Sequence, residues 1–268
     1  MATPSNPWRH TVRGLAVAAG LLAGWPAPPA AAAQPAPADM VRLPAGSYVP
    51  FLVRKANEPA ETPVAAFWLD RTPVTNARFR DFLRHHPEWR RSRVPAIFAE
   101  GHYLDGWSGD LAWGRDQSGD QPVAGVSWFA AQAYCTAQGK SLPTTDQWEY
   151  ALADAGRHQT ELRNRILDWY AQPNGARLPP VRQAAANGYG VAGLTGLVWE
   201  WTLDFASLSG PELRDAGKNS GLFCSGAALA ARDATDYAAF MRYSFRASLK
   251  AAFTTANLGF RCAKEAKP

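Results

Sequence analysis

Thiols are scarce in this chain: three cysteines, an odd number, at positions 135, 224 and 262. In an exported protein two would pair and one would stay free, and the count alone does not say which. Long apolar runs are equally scarce. Gly14 to Trp25 is continuous for about a dozen residues, whereas a bilayer span needs about 20. There is no Gly-rich phosphate loop, no local Ser/His/Asp signature and no His-x-x-x-His-x-Glu pattern. No internal repeat is visible. Nor does one sign of charge prevail. The 28 basic residues lose Arg9 and Arg13 if the N-terminus is removed, leaving 26 against 23 acidic, a net charge of +3. The one basic cluster, "RRSR" at 90–93, reads as a solvated loop. Nucleic-acid binding is therefore not expected, and composition names no electrostatic partner.

The N-terminus is informative. Arg9, His10 and Arg13 form a basic head before the short apolar run, and prolines and alanines come after it, with a small-x-small site at Ala31 and Ala33. That order reads as a cleaved signal peptide over residues 1–33, then a short linker over 34–39. No cysteine near the cut offers a lipid anchor. A mature protein outside the cytoplasm, periplasmic or secreted and without a membrane span, is the expectation. About 230 residues remain, enough for one large domain with its own core.

Aromatics, glycine and proline are abundant instead: 11 Trp, 22 Gly and 21 Pro. Regular elements must be short, with large rings filling a core between loops. Three helices can be read. Thr75 caps one running to about Leu83, which buries Phe79, Phe82 and Leu83 before Pro87 stops it. Ser127 caps the next, with Trp128, Ala131 and Cys135 on one face and Gly139 as terminator. The third opens on a capping box, Thr144 with Gln147, and runs toward Gly156. Short strands are expected at "MVRLPAGSYV", "AAFWLDRTPVT" and "LGFRCA", and residues 157–186 read as a long irregular insertion. The histidines His85, His86, His102 and His158 read as solvated surface residues. Adjacent side chains on a helix diverge, so "RHHPEWR" needs a bend to make a joint site with Glu88.

Five segments occur in order: "MVRLPAGSY", "FWLDRTPVTNARFRDFL", "PVAGVSWFAAQAYCTAQGKSLPTTDQWEYALADAG", "NGYGVAGLTGLVWEWTLDF" and "NLGFRCA". Together they resemble the formylglycine-generating enzyme, or sulfatase-modifying factor, family across residues 40–264. The resemblance implies an α+β fold, a variant of the C-type lectin fold with little regular secondary structure. It also implies a disulfide between the Cys of "AYC" and that of "GFRC", here Cys135 and Cys262. In the chain-entropy model, closing that loop stabilises by about 4–5 kcal/mol. Cys224 is then the odd thiol.

Members that oxidise a substrate cysteine hold copper with two cysteines placed shortly after a segment like "RGGSW". The corresponding segment here is "CSGAA", 224–228, and residues 225–261 contain no cysteine. Two soft thiolates hold Cu(I), and alanines cannot replace them. Copper at the family's cysteine site, and formylglycine-generating activity with it, is not expected; no cofactor is assigned. Cys224 reads first as a buried small hydrophobe. The family also places structural calcium at a "GNVWEW" motif, which here is "GLVWEW". Glu200 is the calcium candidate that remains, and Leu197 stands where the motif has Asn, offering no side-chain oxygen.

The resemblance thus implies a family member without the copper pair, similar to accessory proteins linked with copper nitrite reductases. The expected role is an accessory or maturation factor for a periplasmic enzyme, a copper-dependent one included, acting as a monomer on a protein or peptide partner. Two alternatives stay open. One is a divergent oxidase using another site in the same cleft, with Cys224, Arg246 or Asn257 as catalytic candidates. The other is a lectin-like ligand-binding module.

Overall fold

The computed structural model describes residues 39–52, 59–157, 159–172, 177–208, 231–233 and 235–266, all within the unit Pro35–Pro268. The expected signal peptide over 1–33, the expected linker over 34–39 except its last residue, His158 and Cys224 lie outside the described residues. So does the whole "CSGAA" segment.

Strands β1 (Met40–Leu43) and β4 (Phe67–Asp70) pair antiparallel, and β9 (Ala263–Glu265) adds to the other edge of β4. The first motif therefore lies beside the last across a central strand. Leu43 and Leu69 have no exposure, and Phe67 almost none. A second hairpin joins β2 (Gly46–Tyr48) to β3 (Thr62–Val64), and a third joins β5 (Trp107–Gly109) to β6 (Ala112–Trp113). Two residues each of β7 (Trp199–Glu200) and β8 (Leu258–Gly259) run parallel. Gly259 is required there, because a Cβ would stand 2.4 Å from the Val123 carbonyl oxygen.

Helix α1 (Asn76–His85) begins as the sequence predicts, with Thr75 Oγ1 accepting from the Arg78 amide. Helix α2 (Trp128–Ala137) is capped by Ser127 and followed by Gly139 at φ 65°. Helix α3 (Thr145–Ala153) carries both halves of its capping box, an arrangement worth about 1 kcal/mol. It ends earlier than its glycine suggests, because Asp154 and Ala155 already adopt left-handed backbone before Gly156.

Two helices contradict the sequence expectation. Residues 157–186 are not one irregular insertion: α4 (Gln159–Tyr170) occupies their first half. Its inward residues Leu162, Ile166 and Tyr170 recur every fourth position, but the arginines between them mask the stripe. Helix α5 (Tyr237–Ser248) is likewise absent from that expectation. It is capped by Asp236, whose carboxylate accepts from the Ala239 amide, and its buried face carries two arginines among alanines and a tyrosine. Binary patterning hides such a helix, since charged residues count as solvent-facing. Among the described residues no helix is long and apolar enough to cross a membrane.

The core is aromatic. Phe79, Tyr134 and Phe260 meet at ring separations of 5.3–6.0 Å, with Trp107 against Phe79 at 6.5 Å. Cys135 on α2 is bonded to Cys262 beside this cluster, closing a separation of 127 residues. Asp70, almost fully buried, accepts from Lys140 Nζ at 2.7 Å and from the Cys262 amide at 3.0 Å, so both ends of the disulfide region are tied to β4.

Candidate functional site

A cleft of about 1220 Å³ opens between α4, the loop over residues 185–197, and the C-terminal part of the fold. One face of α4 supplies Glu161, Arg165, Asp168 and Trp169; Trp199 of β7, Met241 of α5 and Asn257 line it from the other side. Its charged lining is balanced, Asp154, Glu161 and Asp168 against Arg157, Arg165 and Arg177. Asp154 and Arg157 are already paired at 2.7 Å.

The apolar end of the cleft is built of rings. Trp199 lies 4.9 Å from Tyr170, 5.1 Å from Trp169 and 4.5 Å from Phe245, centroid to centroid. Three of these half-buried rings, Trp169, Tyr170 and Trp199, form one wall of the cleft, and Phe245 packs against Trp199. The reason is local. A strand alternates its side chains, so the motif "VWEW" sends Trp199 to the cleft and Glu200 to the interior. The Tyr170 hydroxyl donates to the Ala238 carbonyl at 3.3 Å and joins α4 to α5. Burial raises its pKa.

Beneath this wall lie two buried carboxylates. Glu149 on α3 receives Arg242 through Nε and Nη2, each at 2.9 Å, and also Arg246 through Nη1. Burial alone would push the Glu149 carboxyl up, but the two guanidiniums and their hydrogen bonds reverse this and hold it below the ordinary range. Arg246 also lies over the Trp148 ring, 4.3 Å from its centroid. The second carboxylate is Glu200. Arg261 Nε and Nη2 donate to its two oxygens at 2.7 and 2.8 Å, and Trp148 Nε1 donates at 2.8 Å. Neither member of that pair has any side-chain exposure.

The sequence candidates therefore separate. Asn257 lines the cleft, and its carbonyl accepts from the Trp199 amide at 2.8 Å. Arg246 does not reach the cleft; it is 3% exposed and committed to Glu149. Glu200 is committed to Arg261 and Trp148. His85, His86 and His102 sit at the surface, bonded to the Asp81 carbonyl, Glu88 and Asp105 respectively. No group of three metal-ligating side chains is found among the described residues. Sequence reasoning missed Trp199, Trp169 and Met241 as cleft residues, and Glu149 with Arg242 beneath them. The signals are present in "WEYA" and "VWEW", and in the four-residue spacing of Arg242 and Arg246.

The Sulfatase-modifying factor enzyme 1-like domain matches residues 26–266. The chain belongs to the formylglycine-generating enzyme family. It is 31% identical over 300 residues to the "Formylglycine-generating enzyme" of Streptomyces coelicolor, covering 89% of this chain and 95% of that one. It is 29% identical over 281 residues to the "Inactive C-alpha-formylglycine-generating enzyme 2" of Mus musculus, covering 85% and 86%. A shorter match, 32% over 164 residues, is to the "Hercynine oxygenase" of Mycolicibacterium smegmatis, covering 52% of this chain and 37% of that one. Among solved structures, that of CarF covers 86% of this chain and 99% of its own, at 17% identity and a TM-score of 0.48.

The family's two metals can be tested against these residues. Of three cysteines, Cys135 and Cys262 are spent on each other, which leaves one thiol in the chain. A two-thiolate copper site does not fit that inventory. Calcium at Glu200 does not fit either, because a guanidinium faces both carboxylate oxygens.

Proposed function

We propose that this family member works by binding a partner rather than by oxidising a substrate cysteine with copper. The partner is an extended segment of a periplasmic protein, a copper-dependent enzyme included, and the protein assists its maturation as an exported monomer. One observation carries the reading: a large cleft with an aromatic wall and balanced charges, in a chain whose disulfide leaves a single thiol. Such a lining suits side chains and main chain of a peptide, with rings as apolar anchors and arginines as hydrogen-bond donors. The likeness to the mouse relative named as inactive supports a family role without the family's oxidation. The export reading rests on the N-terminal residue pattern alone.

The test places a photo-crosslinking residue at Asn257 or Arg165, expressed in a bacterial host that carries the partner. A single periplasmic protein crosslinked from both positions, and not from exposed Ile97, is the expected result. In parallel, purified protein with added copper is offered a Cys-x-Pro-x-Arg peptide. No conversion of its cysteine to the aldehyde is expected. Copper-dependent turnover would overturn the reading and favour the second one, a divergent oxidase with Asn257 in the same cleft and Cys224 as its thiol.

A further inference from the structure

Helix α4 belongs to none of the five segments that carry the family resemblance, since it lies between Gly156 and Asn187. It is firmly seated all the same. Ile166 is buried in one core cluster with Leu43 and Leu69, Leu162 and Tyr170 pack against that cluster, and the Tyr170 hydroxyl reaches α5. The side of α4 that lines the cleft carries Glu161, Arg165 and Asp168, four and then three residues apart, with Trp169 next in sequence. Residues so spaced share one face of a helix. The cleft therefore meets a row of charges: negative, positive, negative.

That row is open. Within the lining Asp154 pairs with Arg157, whereas Glu161, Arg165, Asp168 and Arg177 form no ion pair among the described residues. Elsewhere the chain does close pairs at such spacing. Arg84 meets Asp81 and Arg157 meets Asp154, three residues apart and both at 2.7 Å. Arg163, on another face of α4, reaches Asp236 at 3.9 Å. Glu161 with Arg165, and Arg165 with Asp168, have spacings that permit the same pairing, and neither pair closes. Three of the four open charges thus stand in one row on a seated helix, beside an aromatic wall.

The row has a length. At 1.5 Å per residue it spans about 10.5 Å along the helix axis. Alternate side chains of an extended chain point the same way about 6.7 Å apart, so three of them span about 13 Å. Long basic side chains at the two ends take up the difference of about 3 Å.

We propose that this row on α4 is the specificity element of the cleft, reading an extended partner segment with basic, acidic and basic side chains at alternate positions. The inference rests on the reading that the cleft takes an extended segment. Arg165 receives the central carboxylate, and Glu161 and Asp168 receive the flanking cations. Trp169 offers an aromatic face to the cation drawn to Asp168. The partner's intervening residues turn toward Trp199 and Met241 across the cleft, which suits apolar ones.

Fluorescence anisotropy of two labelled, capped nonapeptides against the full chain reads the preference. One carries Arg-x-Glu-x-Arg at its centre and the other Glu-x-Arg-x-Glu, with the same apolar residues between. The first is expected to bind about tenfold tighter at low salt, with the difference shrinking at about 0.5 M salt. A peptide of the same composition with its arginines adjacent should lose the advantage. Reversing the row, with Glu161→Arg, Arg165→Glu and Asp168→Arg together, should exchange the order of the two peptides. All three residues are exposed, so Tm should move by no more than about 2 °C. Damage to the fold would weaken both peptides and could not exchange them. Arg165→Glu alone should erase the preference, which keeps the test open should the triple variant not fold. Equal affinities, binding of neither peptide, or an order that reversal leaves unchanged would overturn the inference. The underlying reading fails separately, if a crosslinker at Asn257 captures no partner. A captured segment without the alternating charges would overturn this inference alone.

Discussion

Two carboxylates lie under the same cleft and are neutralised in different ways. Glu200 faces one arginine in a cage with no exposure, and that arginine also holds three main-chain carbonyls. Glu149 faces two arginines one helical turn apart, so positive charge is in excess. Glu149 and Arg242 also line a small cavity of about 250 Å³. The first pair ties a two-residue strand, a loop and the end of β4 to the segment between β8 and β9. The second fastens one helix, α5, onto another, α3. Rigidity and adjustability therefore reside in different places: the cage has no room for water to replace a lost partner, whereas the helix pair does. Trp148 bridges them, bonded to Glu200 and stacked under Arg246.

Arg261→Met tests this contrast most severely. It leaves a carboxylate and three carbonyls without a donor in a sealed interior, and should cost about 4–5 kcal/mol in urea unfolding. Arg242→Met should cost clearly less, because Arg246 still pairs with Glu149. Equal losses would mean the two sites are equivalent. Next comes the covalent tie beside the cage. Cys262→Ser should cost about 4 kcal/mol, and non-reducing peptide mapping should recover Cys135 joined to Cys262.

Glu149→Gln should cost about 3 kcal/mol by leaving two guanidiniums facing a neutral amide. It should also change the pH dependence. The folded Glu149 carboxyl titrates below its ordinary value of 4.5, so its contribution is present above that pH. It is lost as pH falls from there through the lower folded value. Stability of the unmodified protein should therefore drop over that acid window, and the variant's curve should be flatter.

Smaller effects belong to the cleft. Trp199→Ala removes the centre of a half-buried ring wall and should cost about 1–2 kcal/mol, with partner crosslinking reduced further than stability. Asn257→Ala should stay within about 0.5 kcal/mol of the unmodified protein, because its structural bond to Trp199 is made by the main chain. Loss of crosslinking in that variant would locate binding at the cleft rather than in the fold.

Local signals in this sequence are reliable wherever a short-range rule applies. Thr75, Ser127 and the Thr144–Gln147 box start their helices because a cap needs only its own next three residues. The aromatic, loop-rich core follows from composition. What is not legible shares one cause. Helix α5 hides its inward face behind Arg242 and Arg246, which are buried only because Glu149, about 90 positions earlier, meets them. Arg246 reads as a candidate for chemistry for the same reason: an arginine's role depends on whether a carboxylate waits behind it. Asn257 reaches the cleft, but of its neighbours there Trp199 carries only the alternation of "VWEW" as a signal, and Met241 none until helix packing aims it. The family resemblance, the helix starts and the lack of any cysteine over residues 225–261 are all readable from the chain alone, because they depend on residue identity and near neighbours. That Glu200 holds a guanidinium, and that three rings from α4 and β7 make one wall with Phe245 of α5 packed against it, is settled only on folding. Both require oxygens and side chains from distant segments to converge within a few ångströms, which no spacing along the chain encodes.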